Sequence, residues 1–418
     1  LPHTVYRKGR TSVDFEHSTR AREYIDRVRT FIAEEISPRE EAYVRDRLAA
    51  EDPWQEGPLM GELKAKARAA GLWNLFLPDE EHGAGLSNVE YAPLAELMGR
   101  SLLAPEAFNC NAPDTGNMEV LLQFGSDEQR SRWLQPLLDG EIRSAFCMTE
   151  PGVASSDATN MEATARVEGD EIAVDGVKWW STNAGHPRLG FMIFMGLTDP
   201  DGHRHRRHSM VLVPRSTPGV TVERMLTVMG FDDAPSGHGQ VRFDDVRLPL
   251  SAVIGEPGQA FAIAQSRLGP GRVHHCMRLI GLSEVALELA CRRGTSRTAF
   301  GKPLINLGGN RERIAEARAA IDQARLLVLN AAWLLDTQGL QGALSAVSQI
   351  KFVVPSMAQS VIETAIQLHG GGGLSGDLPL AAMWAQARAL RLADGPDEVH
   401  RGVVARLELA SHTAAANA

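Results

Sequence analysis

Ala393-Asp394-Gly395-Pro396-Asp397-Glu398-Val399-His400 is the stretch on which the reading of this chain turns. It follows the glycine run 370–373 by about one short helix. Glycine permits dihedrals closed to other residues and proline fixes φ, so Asp394 sits on a stiff turn from which a helix can start. A carboxylate held in that way suits a general base that must reach into a closed pocket. Asp-Gly-Pro is also good N-terminal capping sequence, so the segment alone reads more readily as the cap of a last helix. The rest of the chain separates these readings.

On either side of this turn the period of the sequence changes twice. After about Gly258 apolar residues recur at helical spacing over 279–292, 314–335 and 344–369, long enough to build a bundle. Pro355 is expected to kink the last of these or to mark an irregular start. Before it, short partly alternating segments at 163–167, 172–177, 191–196, 210–213, 220–223 and 240–243 read as strands, with Glu168-Gly169-Asp170 and Asp199-Pro200-Asp201-Gly202 as turns. The first third is helical again. Segments 20–36 and 89–97 carry the helical period, and Ser126-Asp127-Glu128-Gln129 is a capping box opening 130–138. The expected order is a helical domain (1–143), a compact β domain (144–257) and a helical bundle (258–418). No βαβ pattern or GxGxxG is present, which argues against a nicotinamide-binding fold.

Bulk properties exclude other classes. A chain of 418 residues is long for one core, so two or three domains are expected. A formal net charge of -9 disfavours a nucleic-acid or membrane-surface binder. No apolar run approaches the roughly 20 residues of a membrane span. Leu1-Pro2-His3-Thr4 has no signal-peptide core, and the missing initiator Met points to residues lost or removed before Leu1. Cys110, Cys147, Cys276 and Cys291 show no CxxC spacing and read as reduced thiols of a cytoplasmic protein, with no metal site.

Four further segments could carry chemistry. Met148-Thr149-Glu150-Pro151 through Ser156-Asp157 is dense in small and hydroxyl residues, so a polar ligand could approach its backbone; it also reads as an ordinary turn. In Lys178-Trp179-Trp180-Ser181-Thr182-Asn183, alternation would put Trp180 and Thr182 on one strand face. An aromatic beside a hydroxyl suits a planar heterocycle, and a core Trp with a surface Thr is the competing reading. Arg297-Thr298-Ala299-Phe300-Gly301-Lys302 is a candidate phosphate clamp or a solvated helix end. Gln367-Leu368-His369 opens into four glycines, more than a helix cap needs, which close ligand approach would explain. His203 to His208 reads as a solvated hairpin end that could also meet an anionic ligand, and His274-His275 as helix packing rather than metal binding.

These five motifs in this order resemble the acyl-CoA dehydrogenase family over nearly the whole chain. The resemblance implies an N-terminal α domain, a middle β-barrel-like domain, a C-terminal four-helix bundle, and FAD shared with a second subunit of a homodimer or homotetramer. It implies that Met148 and Thr149 run along the flavin, that Trp180 packs beside the ring, and that the Thr182 hydroxyl approaches N5. Arg297, Phe300, Gln367 and Gly371 would reach the neighbouring subunit's FAD, and Pro396 and Glu398 contact FAD after the base. Ser156 and the Gly269-Pro270-Gly271-Arg272 segment fall on the substrate side, which would make Arg272 a substrate-binding residue.

The family base is usually Glu; here Asp394 aligns, as in one subgroup. Leu307 stands where many relatives carry a Gln that contacts FAD. The implied reaction of fatty-acid metabolism takes an acyl-CoA to its trans-2-enoyl-CoA. Asp394 accepts the α-proton, the β-hydride goes to flavin N5, and an electron-transferring flavoprotein or similar acceptor reoxidises the flavin. Alternatives on the same fold are a flavin oxidase and a non-catalytic FAD- or acyl-CoA-binding protein.

Overall fold

The computed structural model describes residues 16–416, so the N-terminal stretch 1–15 of the expected helical domain lies outside the described residues. Helices α1 (Thr19–Phe31), α2 (Ser37–Ala49), α3 (Pro58–Ala69), α4 (Asn88–Met98), α5 (Ala104–Ala107), α6 (Asp114–Phe124), α7 (Asp127–Gln129) and α8 (Gln135–Leu138) form the first third. Seven strands follow: β1 (Arg143–Cys147), β2 (Thr164–Glu168), β3 (Glu171–Thr182), β4 (Leu189–Leu197), β5 (His208–Pro214), β6 (Val220–Leu226) and β7 (His238–Pro249). The last third holds α9 (Ala260–Ser296), α10 (Asn310–His369), α11 (Gly371–Leu374), α12 (Leu380–Ala389) and α13 (Asp397–Ala416). The sequence therefore places the three regions in the right order.

The capping box forms as read: Ser126 accepts from the Gln129 backbone, and the Gln129 side chain accepts from the Ser126 backbone. Every expected strand is present. The sequence did not reveal β1, which pairs in parallel with β4. From there the sheet runs β1-β4-β2-β3-β7-β6, with β5 antiparallel to β4. Strand β4 is buried on both faces. Phe191, Ile193 and Met195 enter the core shared with the helices, while Met192 and Phe194 enter a separate core inside the β domain. Period-two alternation thus cements the β domain to the bundle.

Two expectations need correction. The long helix α10 is interrupted at Gly339 (φ 66, ψ -175), not at Pro355, which is buried inside the continuing helix. Glycine adopts the positive φ of the break without a Cβ clash, and the chain kinks there. Strict alternation also fails at Trp180. A register shift between Lys178 and Ser181 bulges β3, and Trp180 takes φ 55.

Helices α4 and α9 cross almost backbone to backbone. A Cβ on Gly99 would lie 2.0 Å from the Arg278 carbonyl oxygen, and one on Gly281 would lie 1.9 Å from that of Glu96. No larger residue fits at either position without moving a helix.

Candidate active site

A cavity of about 2490 Å³ runs between the β domain, α9 and the loop that precedes α13. Typical single-ligand pockets are roughly 300–1,000 Å³, so there is room for more than one small molecule.

Asp394 lines this cavity. It takes φ 57 and Gly395 takes φ 102, so the chain turns sharply here. Asp tolerates this left-handed region better than most residues. A side chain at Gly395 would also strike His400 Nε2 at 2.9 Å. Helix α13 starts at Asp397, and the Asp394 side chain caps no helical N–H among the described residues. The capping alternative is therefore set aside. Side chains clamp the backbone of the turn. Arg272 Nε donates to the Asp394 carbonyl at 3.1 Å, and His400 Nε2 lies 3.2 Å from the same oxygen. Lys351 Nζ donates to the carbonyls of Ala393 (2.7 Å) and Leu390 (2.6 Å). The Asp394 N–H, by contrast, donates to no protein acceptor among the described residues.

The side chains facing this carboxylate are cationic or polar. His275 Nε2 lies 3.5 Å from Asp394 Oδ2. Burial pushes the carboxyl up, but the positive charge of His275 while it is protonated, and of Lys351, Arg267 and Arg272 throughout, outweighs it and holds Asp394 below the ordinary carboxylate value. Burial, aided by Arg278, pulls His275 down to about 3, so its imidazole is neutral at pH 7. Asp394 is therefore ionised without a proton borrowed from His275.

The β-domain wall carries the second group of predicted residues. Met148, Thr149, Ser156, Trp180 and Thr182 all line the cavity. The bulge leaves Trp180 41% exposed as a residue, an unusual state for Trp in a β domain, and its side chain lines the cavity. Thr182 Oγ1 lies 3.0 Å from His238 Nδ1, and the Trp180 and His238 rings are 5.7 Å apart. Behind the wall, the fully buried Lys178 Nζ donates to Glu150 Oε1 (2.7 Å), the Met148 carbonyl (2.9 Å) and the Met195 carbonyl (2.6 Å). The Trp179 N–H donates to the Thr149 carbonyl at 2.9 Å, so loop 148–150 is tied to β3 at two points.

Not every predicted residue meets here. Arg272 and Pro396 line the cavity with Asp394. Arg297, Phe300, Gln367, Gly371 and Glu398 are exposed and lie away from it, Phe300 at 95% exposure. Two readings change. Arg204 and His205 are part of the cavity lining, so the hairpin end at 203–208 is more than a solvated turn. In the His pair, His274 does pack, with its ring 4.8 Å from that of Tyr91, but His275 faces Asp394. The sequence also gave no sign of Arg267, Lys351 or His238. A helical pattern holds each of the first two, and nothing in a single sequence marks which helix face meets a cavity.

The chain matches three family descriptions in succession: acyl-CoA dehydrogenase N-terminal domain over residues 18–141, middle domain over 145–246 and C-terminal domain over 258–409. It is 53% identical over 397 residues to mouse acyl-CoA dehydrogenase family member 10, covering 94% of this chain and 37% of that one. It is 50% identical over 399 residues to the probable acyl-CoA dehydrogenase FadE2 of Mycobacterium tuberculosis, covering 95% and 97%. It spans about half the length of several other relatives. A solved structure of a putative acyl-CoA dehydrogenase from Mycobacterium abscessus is 68% identical and superposes with a TM-score of 0.94, covering 95% of this chain and 100% of that one.

Proposed function

This chain belongs to the acyl-CoA dehydrogenase family, and on that premise we propose that it dehydrogenates an acyl-CoA thioester to the trans-2-enoyl-CoA with FAD as cofactor and Asp394 as base. The observation that carries the proposal is the Asp394 turn, which brings an ionised carboxylate and an unpaired backbone N–H to the same cavity.

The β-domain wall fits FAD. It offers the exposed Trp180, the hydroxyls of Thr149 and Thr182, and a buried Trp179 indole N–H with no protein partner. Met148, Thr149, Trp180 and Thr182 would hold the cofactor with Pro396, whereas the exposed Glu398 does not line this cavity. Bound there, FAD supplies the hydride acceptor. Arg297, Phe300, Gln367 and Gly371 are too exposed to serve their own chain's cavity, which favours a homodimer or homotetramer in which they reach across. Ser156 and Arg272 would face the thioester side. An electron-transferring flavoprotein or a similar acceptor would drain the electrons.

The α-proton of a thioester is far less acidic than a carboxylic acid of pKa about 4. The cations around Asp394 make it a weaker base still in the unliganded chain. More of the barrier must then be met by stabilising the enolate, a task suited to the Asp394 N–H aimed at the thioester carbonyl. Substrate entry also expels water and raises the carboxylate toward its target. Asp is one methylene shorter than Glu, so the α-carbon must sit closer to the backbone here.

The test is anaerobic titration of purified protein with a panel of acyl-CoAs, followed by flavin absorbance, for wild type and Asp394→Asn. The variant should bind ligand but lose flavin reduction by about 10²–10⁴-fold or more. If it reduced its flavin at the wild-type rate, the base would lie elsewhere. Reoxidation by oxygen against an electron-transferring flavoprotein separates dehydrogenase from oxidase.

A further inference from the structure

Arg272, His275 and Arg278 follow one another at three-residue spacing along α9, so they form one ridge facing the cavity. Arg278 Nη2 lies 3.1 Å from His275 Nδ1. A guanidinium has donors only, so Nδ1 must be the nitrogen that carries the lone pair. The ring hydrogen is therefore on Nε2, the atom that faces Asp394 Oδ2 at 3.5 Å. Arg278 is itself held, with Nη1 donating to the Cys110 carbonyl at 3.3 Å, and its own carbonyl abuts Gly99 at the crossing of α4 and α9.

We propose that His275 is a positioning residue for the base: Arg278 locks it as the neutral Nε2–H tautomer, and that N–H holds Oδ2 so that Oδ1 of Asp394 is the oxygen left to accept the proton. This rests on the reading of Asp394 as the base. The 3.5 Å separation is long for a hydrogen bond, and such contacts commonly tighten only in the substrate complex. Because Nδ1 is already engaged by Arg278, the imidazole is not a competing proton acceptor. A His275 free to ionise or flip its tautomer would instead draw the carboxylate into a plain ion pair or leave it unrestrained. The other charged groups facing Asp394 are Arg267 and Arg272 from α9 and Lys351 from α10.

Two measurements test this. The first is ¹⁵N NMR of ring-labelled holoenzyme, with the His275 signal assigned by its loss in His275→Gln. We expect the Nε2–H tautomer from pH 5 to 8, and a changed tautomer population in Arg278→Met. An Nδ1–H or doubly protonated His275 at pH 7 overturns the proposal, and this result does not depend on what Asp394 does. The second is rapid-mixing flavin reduction across pH. His275→Leu should slow reduction about tenfold or more and move the acid limb of the profile upward by about one unit, because a donor to the ionised carboxylate is lost. Ligand affinity should hold, and His275→Gln should restore most of the rate. An acid limb in His275→Leu that coincides with wild type overturns the proposal. Asp394→Asn, run beside them, reports separately on the base assignment.

Discussion

Replacing Lys178 by Met would test what holds the cavity-lining loop 148–150 in place. The side chain is fully buried and its ammonium donates to one carboxylate and two backbone carbonyls. Met has similar length and fills the space, so the change removes the charge and the donors with little cavity. Glu150 would keep its bonds from the Glu162 (2.9 Å) and Ala163 (3.1 Å) amides but would stay buried without a cation. Breaking a buried pair from one side costs roughly 3–5 kcal/mol. The two retained amide bonds argue for the lower end, about 3 kcal/mol, or a fall in Tm of about 3–4 °C for a chain of this length. The Met148 carbonyl would lose its anchor as well, so flavin should dissociate more readily. Adding Glu150→Gln removes the stranded charge and should recover about 1–2 kcal/mol. Thermal and urea unfolding with flavin fluorescence would measure all three proteins. A single variant melting within about 1 °C of wild type, or a double variant no better than the single, would refute the reasoning.

Burial pushes the Glu119 carboxyl up to about 8, against an ordinary value of 4.5, with Arg267 opposing. The folded chain holds this proton more tightly than the unfolded chain, so its contribution declines as pH rises from 4.5 to 8. Glu119→Gln should therefore gain stability at pH 8.5 and nothing at pH 4. The upper bound is about 4–5 kcal/mol, and partial exposure makes about 1–2 the better figure; melts at both pH values check it. Gly281→Ala should cost about 2–4 kcal/mol, because the new methyl group meets the Glu96 carbonyl and backbone must move. Gly271→Ala on the same helix meets nothing within 4 Å and should be neutral or mildly stabilising, so paired urea midpoints separate crowding from helix propensity.

What the sequence made legible was local. The capping box at Ser126 is set by residues three apart, and the turn at Asp394 by the glycine and proline beside it. The strands announce themselves through alternation and turn residues. Strand β1 was missed because Arg143-Ser144-Ala145-Phe146-Cys147 has no alternating signature. It is a strand because parallel β4 pairs with it, and because Arg143 is buried against Asp114 and Glu106. The break at Gly339 was missed for a related reason. Glycine can break a helix or be tolerated inside one, and tertiary packing selects which. In the site, Asp394 was legible and its surroundings were not. Arg267 and His275 come from α9, and Lys351 from a turn of α10 far along the chain. Each looks like one more polar residue on an amphipathic helix until the helices are assembled.

The assembly itself depends on α9. That helix brings Arg267, Arg272, His275 and Arg278 to the cavity, so its register and depth fix the distance from imidazole to carboxylate. Two glycines, Gly99 and Gly281, set that depth by letting α4 and α9 touch backbone to backbone within one turn of Arg278. Close-packed interiors respond to a single added methyl group by displacement rather than compression. A shift of even half an ångström at the crossing would pass directly to the ridge of residues facing Asp394. The N-terminal domain, which contributes no predicted catalytic residue, thus sets where the α9 ridge stands relative to Asp394 through the fit of α4 against α9.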